Sequence, residues 1–109
     1  MGINLHRLAE ERSLALHRLV AERARLDPEV LARARARVSE WLVTGATARF
    51  YAEAWAEILR RPDEAIFAAL VDDSEPARAL RQATPFAGVI DPRTRWRLWR
   101  EVRARLGAA

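Results

Sequence analysis

Four of the five prolines stand beside acidic residues in the order that begins α-helices, and this pattern most constrains the fold. The four segments are Asp27-Pro28-Glu29, Pro62-Asp63-Glu64, Glu75-Pro76 and Asp91-Pro92. Proline is tolerated in the first turn of a helix because the N–H it lacks would have no partner there, and an acid at that end complements the helix dipole. The sequence therefore predicts four helix starts, in addition to one capped by Asn4 and one near Thr47.

Between these signals, apolar residues recur at helical spacing and no strand pattern exceeds a few residues. The predicted helices cover about residues 5–26, 28–43, 47–60, 63–71, 75–82 and 92–106. Alanine, leucine, arginine and glutamate dominate, and all four favour helices. We therefore predict an all-α fold, a single compact domain of five to six helices spanning residues 1–109.

The last predicted helix carries two tryptophans, and we expect the other helices to pack around it. Buried aromatic rings dominate the energetics of small domains, so both rings are expected to face inward and the arginines of that helix outward. The predicted core is formed by large apolar side chains from all six helices and one loop: Leu16, Leu19, Val38, Trp41, Tyr51, Trp55, Leu59, Leu70, Leu80, Phe86, Trp96 and Trp99.

Composition argues against several classes of protein. Without cysteine there is no disulfide, thiol nucleophile or thiolate zinc site, and no apolar run approaches the ~20 residues of a membrane-spanning helix. Residues 1–7 lack the order of a signal peptide, so we expect a cytoplasmic protein without membrane contacts. The four glycines are scattered and form no phosphate cradle, and the acid pairs at 63–64 and 72–73 stand where helix caps are expected. The sequence therefore predicts no enzyme, no cofactor and no metal site.

One weak pattern points the other way. Arg12 and His17 have the Arg-x4-His spacing found in helical ribonucleases of the HEPN group, where a histidine does acid–base work and an arginine holds phosphate. Chance matches are expected, because all 19 basic residues of the chain are arginine. His6 and His17 lie three turns apart and are too distant to share a metal ion.

The charges are segregated along the chain. Residues 46–73 hold three arginines against six acids, whereas residues 91–109 hold six arginines against two acids. One interpretation is a set of solvated arginines and helix caps; the other is attraction within the fold, or two faces for a partner. For the last helix, the functional interpretation is a nucleic-acid surface in which arginines bind phosphates and an exposed indole stacks on bases. That interpretation needs at least one exposed tryptophan in the last helix. Its candidate residues are Arg93, Arg97, Arg100 and Arg105.

The segment Thr84-Pro85-Phe86-Ala87-Gly88-Val89-Ile90 combines turn residues with three large apolar ones. Phe86 and Ile90 either fill the space between helices or anchor a protein partner. In the second case Arg81 and Arg93 would form the polar rim of the anchor, as in other interfaces.

The form Leu80-Arg81-Gln82-x-x-Pro85-Phe86-Ala87-Gly88-Val89, followed by Pro92-Arg93-x-Arg95-Trp96, resembles small helical bacterial proteins of uncharacterised function. The opening Leu8-Ala9-Glu10-Glu11-Arg12-Ser13 is also similar to theirs. Such proteins are encoded beside toxin-type genes, which implies an antitoxin or accessory partner. The first functional hypothesis is thus a non-enzymatic protein-interaction module that binds and restrains a toxin, and the second is a nucleic-acid-binding protein using the C-terminal arginines. A homo-oligomer is compatible with both.

Overall fold

A computed structural model describes residues 4–107 as six helices and no strand. In order they are α1 (Leu5–Leu26), α2 (Glu29–Thr44), α3 (Arg49–Leu59), α4 (Asp63–Leu70), α5 (Glu75–Gln82) and α6 (Pro92–Gly107). The all-α prediction is confirmed, and each helix lies within two residues of its predicted bounds. Within residues 4–107, no helix combines the length and the apolar character that spanning a bilayer requires. Residues 1–3, part of the segment that argued against a signal peptide, lie outside the described range.

The residues that the sequence predicts to cap the helices do lie at the helix ends. Asn4, Ser74 and Asp91 each accept a hydrogen bond from the backbone N–H three residues further along, at 3.1, 3.3 and 3.0 Å. These bonds satisfy donors that a helix leaves unpaired in its first turn. At the other end of α2, Gly45 adopts φ 73°, a left-handed conformation that glycine adopts without steric cost.

The centre of the fold is α1, which corrects the expectation that the other helices pack around the last one. α1 contacts α2, α4, α5 and α6, whereas α6 contacts only α1 among the described helices. The reason lies in the apolar surface available: α1 is the longest helix and buries residues on several sides, but Val102 is the one fully buried residue of α6. The last helix is therefore peripheral.

The core forms where α1 to α5 meet the loop after α5. Of the predicted core, Val38, Trp55, Leu59, Leu70 and Phe86 are buried, and Leu16, Leu19, Trp41 and Leu80 are partly buried against them. Tyr51 is only half-buried and lies edge-on against the exposed ring of Phe50, at 5.3 Å between ring centroids.

The prediction that both tryptophans of α6 are core residues is wrong for Trp96, whose exposed fraction is 63%. Trp99 is half-buried and faces α1. At 100° per residue, Trp96 lies about 120° around α6 from the buried Val102, whereas Trp99 lies about 60° from it. A helix that packs on one neighbour buries only one side, so one indole is half covered and the other is left in solvent.

Candidate functional site

The loop between α5 and α6 belongs to the protein's own core. Phe86 is 2% exposed and packs edge-on against Trp55 and His17, with ring centroids 5.8 and 6.2 Å away. Ile90 is 3% exposed in the same apolar cluster. Phe86 and Ile90 therefore fill the space between helices, and neither side chain is exposed to anchor a partner.

Two arginines hold this region in place, the buried Arg81 and the exposed Arg37. Arg81, predicted to rim a partner site, is 3% exposed and donates from Nη1 to the backbone carbonyl oxygens of Asp72 and Leu70, at 2.6 and 3.4 Å. It thereby ties α5 to the end of α4 and is not available to a partner. Arg37 of α2 donates to the carbonyl oxygens of Ala87 and Pro85 at 3.0 and 3.3 Å. Of the four residues in the predicted partner site, only Arg93 is exposed.

His17 lies beneath the same loop and joins α1 to it through a short chain of hydrogen bonds. Its Nδ1 is 2.7 Å from the carbonyl oxygen of Ser13, so Nδ1 carries the proton and donates. Its Nε2, 2.8 Å from Oγ1 of Thr84, therefore accepts from that hydroxyl, which in turn accepts the backbone N–H of Phe86 at 3.1 Å. This chain of hydrogen bonds holds the loop against α1.

Burial, opposed by the hydrogen bond to Ser13 and assisted by the charge of Arg81, lowers the pKa of His17 to about 4. The ring is thus neutral near pH 7, 1% exposed, and uses both nitrogens within the fold. Arg12 lies elsewhere: its guanidinium is 5.9 Å from the centre of the Trp99 ring, and Nη2 approaches the carbonyl oxygen of Trp99 at 3.5 Å. The two residues of the weak Arg-x4-His pattern therefore form no shared open site.

The outer side of α6 carries a cluster of charge that we call the basic face. It comprises one indole and four arginines, all exposed, within an arc of about 120° opposite Val102: Trp96, Arg93, Arg97, Arg100 and Arg103. No carboxylate of residues 4–107 lies within ion-pair distance of these arginines. The face therefore presents unneutralised cations around an exposed aromatic ring.

The structure changes one member of the predicted arginine set. Arg105 lies on the side of α6 that meets α1, and its Nη2 is 3.4 Å from Glu11 Oε2. Arg103, which was not among the candidates, lies on the same side of α6 as Trp96 and is exposed. Arg103 lies about 20° around the axis from Trp96 and Arg105 about 180° from it, so Arg103 belongs to the same side once packing on α1 has left Trp96 exposed.

A second surface feature is a groove of about 640 Å³ between α2 and α3. We call it the α2–α3 groove. Its residues are apolar side chains with polar ones at the edges: Val38, Leu42, Ala56, Leu59, Arg35, Ser39 and Arg60. The sequence reasoning missed this feature, because it depends on how far apart two packed helices stand.

The acid pairs behave as helix-end residues in the structure. Asp72 accepts the N–H and the hydroxyl of Ser74, both at 3.1 Å, and so orders the residue that caps α5. Asp63 and Glu64 lie in the first turn of α4. Across residues 4–107, no three histidine or acidic side chains converge in a way that could hold a metal ion.

Comparison of the chain with models of protein families, with curated proteins and with solved structures finds no match.

Proposed function

We propose that this chain is a small, non-enzymatic nucleic-acid-binding protein of the cytoplasm that holds single strands on the basic face of α6. The observation that carries the proposal is the exposure of Trp96, 63%, among arginines that have no partner within residues 4–107. Nucleic-acid binding by the last helix requires at least one exposed tryptophan there, and Trp96 meets that requirement. An exposed indole among exposed arginines offers a flat ring on which an unpaired base can stack beside cations that bind its phosphates.

The arrangement suits an unpaired strand better than a duplex. Arginines bind phosphates of any sequence, and Arg93 and Arg103, ten positions apart, are separated by roughly 15 Å along the helix, enough for a few backbone phosphates. Stacking of a base on a tryptophan ring stabilises the complex, and the faces of bases are accessible only where the strand is unpaired. Because α6 packs on α1 alone, its outer side is open to a strand along its length.

Changing the basic face is expected to weaken binding without unfolding the protein. Trp96→Ala should weaken binding of a fluorescein-labelled oligothymidylate about tenfold, since one stacked base contributes ~1–3 kcal/mol. Arg97→Glu with Arg100→Glu should weaken it roughly a hundredfold at low salt and reduce the slope of log K against log salt by at least ~1.4. Fluorescence anisotropy across a salt series measures both effects.

Matched variants separate a site from general charge or hydrophobicity. Phe50→Ala removes another exposed aromatic ring, 74% exposed on α3, and Arg33→Glu with Arg49→Glu makes the same change in net charge on other helices. Both controls are expected to bind within about threefold of the parent protein. Equal losses in the control and in the α6 variants, or tighter binding of a duplex than of the single strand, would contradict the proposal.

A protein partner is the second candidate function, and the α2–α3 groove is the observation that favours it. The antitoxin-like hypothesis placed the contact at Phe86 and Ile90, which are buried, so any partner must use another surface. The groove offers open apolar side chains between two basic ones. Co-purification of the tagged chain with the product of its neighbouring gene tests this candidate. The parent chain is expected to retain that product, and the Leu42→Glu variant is expected to lose it. Failure of the parent chain to retain the product would rule out this candidate function.

A further inference from the structure

We infer that the α2–α3 groove binds an amphipathic helix of a partner protein, one whose apolar stripe is flanked by carboxylates. The inference rests on the second candidate function and specifies the chemistry of the partner. Two packed helices with an apolar seam between them commonly accept a third helix in that seam.

The floor of the groove provides the apolar contact. Val38 and Leu59 are buried at its base, and Leu42 is 39% exposed at its side. Its volume of about 640 Å³ is large enough for a few aliphatic side chains. Leucines at successive turns of a helix would cover Leu42 and Ala56, and so remove apolar surface from water.

The charges of the groove select the partner. Arg35 and Arg60 both line the groove, and neither pairs with a carboxylate of residues 4–107. The nearby acids of α3 are already neutralised: Glu53 Oε1 is 2.7 Å from Arg49 Nε, and Glu57 Oε2 is 2.7 Å from Arg61 Nη2. An incoming helix therefore meets two free cations, and acidic flanks would complement them.

Arg35 is also held in place before binding. Its Nε donates to the carbonyl oxygen of Leu59 at 3.1 Å, which ties the guanidinium to the end of α3 and leaves its two Nη groups for another acceptor. A guanidinium positioned in this way loses less conformational entropy when it pairs with a carboxylate.

A second copy of this chain is a poor occupant. The peripheral helix α6 contacts only α1 among the described helices and leaves its outer side exposed to a second copy. Its outer side carries Arg93, Arg97 and Arg100, and these would meet Arg35 and Arg60 with like charge. Charge complementarity thus favours a different, acidic protein.

The test uses a synthetic helical peptide of roughly 15 residues with leucines at helical spacing and glutamates on both flanks. A second peptide carries lysine in place of every glutamate. We expect the glutamate peptide to bind the full chain at least about tenfold more tightly than the lysine peptide, as measured by anisotropy. Arg60→Glu should reverse or abolish this preference, and Leu42→Glu should weaken both peptides.

Arg33→Glu is the matched control, because it makes the same charge change on α2 at a side chain 84% exposed outside the groove. It should leave the preference unchanged. Equal binding of the two peptides, no binding of either, or an equal effect of Arg33→Glu and Arg60→Glu would overturn the inference. So would a dimer in analytical ultracentrifugation that Leu42→Glu dissociates, since the groove would then hold a second copy. Because the probe is defined, these outcomes do not depend on whether the neighbouring gene product binds.

Discussion

Phe86→Ala is expected to lower the free energy of unfolding by about 3–5 kcal/mol, the usual cost of truncating a buried phenylalanine. The ring is 2% exposed and contacts Trp55 and His17, so its loss leaves a cavity at the junction of the loop with α1 and α3. Small domains are stable by only ~5–15 kcal/mol, and this one substitution removes a large part of that. Urea denaturation followed by tryptophan fluorescence measures the change.

Phe50→Ala is the matched control for this effect. The same residue type is 74% exposed on α3 and packs mainly against Tyr51, so its truncation should cost less than about 1 kcal/mol. Equal costs for the two variants would contradict the placement of the loop. Phe86→Asp would bury an unpaired carboxylate and is expected to leave little folded protein, so it cannot serve as a test of partner binding.

Acidification from pH 7 to pH 4 is expected to lower the free energy of unfolding through His17. Its pKa in the folded protein is about 4, against 6.5 as the ordinary value, because burial penalises the charged ring. The unfolded chain therefore binds a proton before the folded one does, and stability is complete above pH 6.5 and falls below it. The loss from this residue alone is about 2 kcal/mol by pH 5 and about 3 kcal/mol by pH 4.

His17→Gln isolates this contribution. The variant should be less stable than the parent at pH 7, yet its stability should change little between pH 7 and pH 5. Hydrogen bonds from Arg61 and Thr94 lower the pKa values of Glu57 and Asp91. These two carboxyl groups therefore add to the loss of stability only below about pH 4.5. Urea midpoints at pH 7, 6 and 5 give the comparison. A parent protein equally stable at pH 7 and pH 5 would contradict a neutral, enclosed His17.

The candidate site could be predicted from sequence only in part. The sequence predicts the arginines of the last helix and the need for one exposed tryptophan there, because both follow from residue type and local spacing. It does not predict the choice between Trp96 and Trp99, since that depends on which side of α6 meets α1. The exchange of Arg105 for Arg103 has the same cause: Glu11, which pairs with Arg105, is distant in sequence and comes near only when α1 and α6 pack.

The six helices follow from local sequence, because caps, prolines and apolar spacing act within one or two turns. The packing of the folded chain places α1 at the centre and α6 at the periphery, since that depends on the total apolar area each helix can bury against several neighbours. It also places Phe86 in the core, whereas the local sequence pattern was compatible with either a core residue or an anchor for a partner. His17 and Thr84, 67 residues apart, close that loop onto α1, and no local rule relates residues so distant.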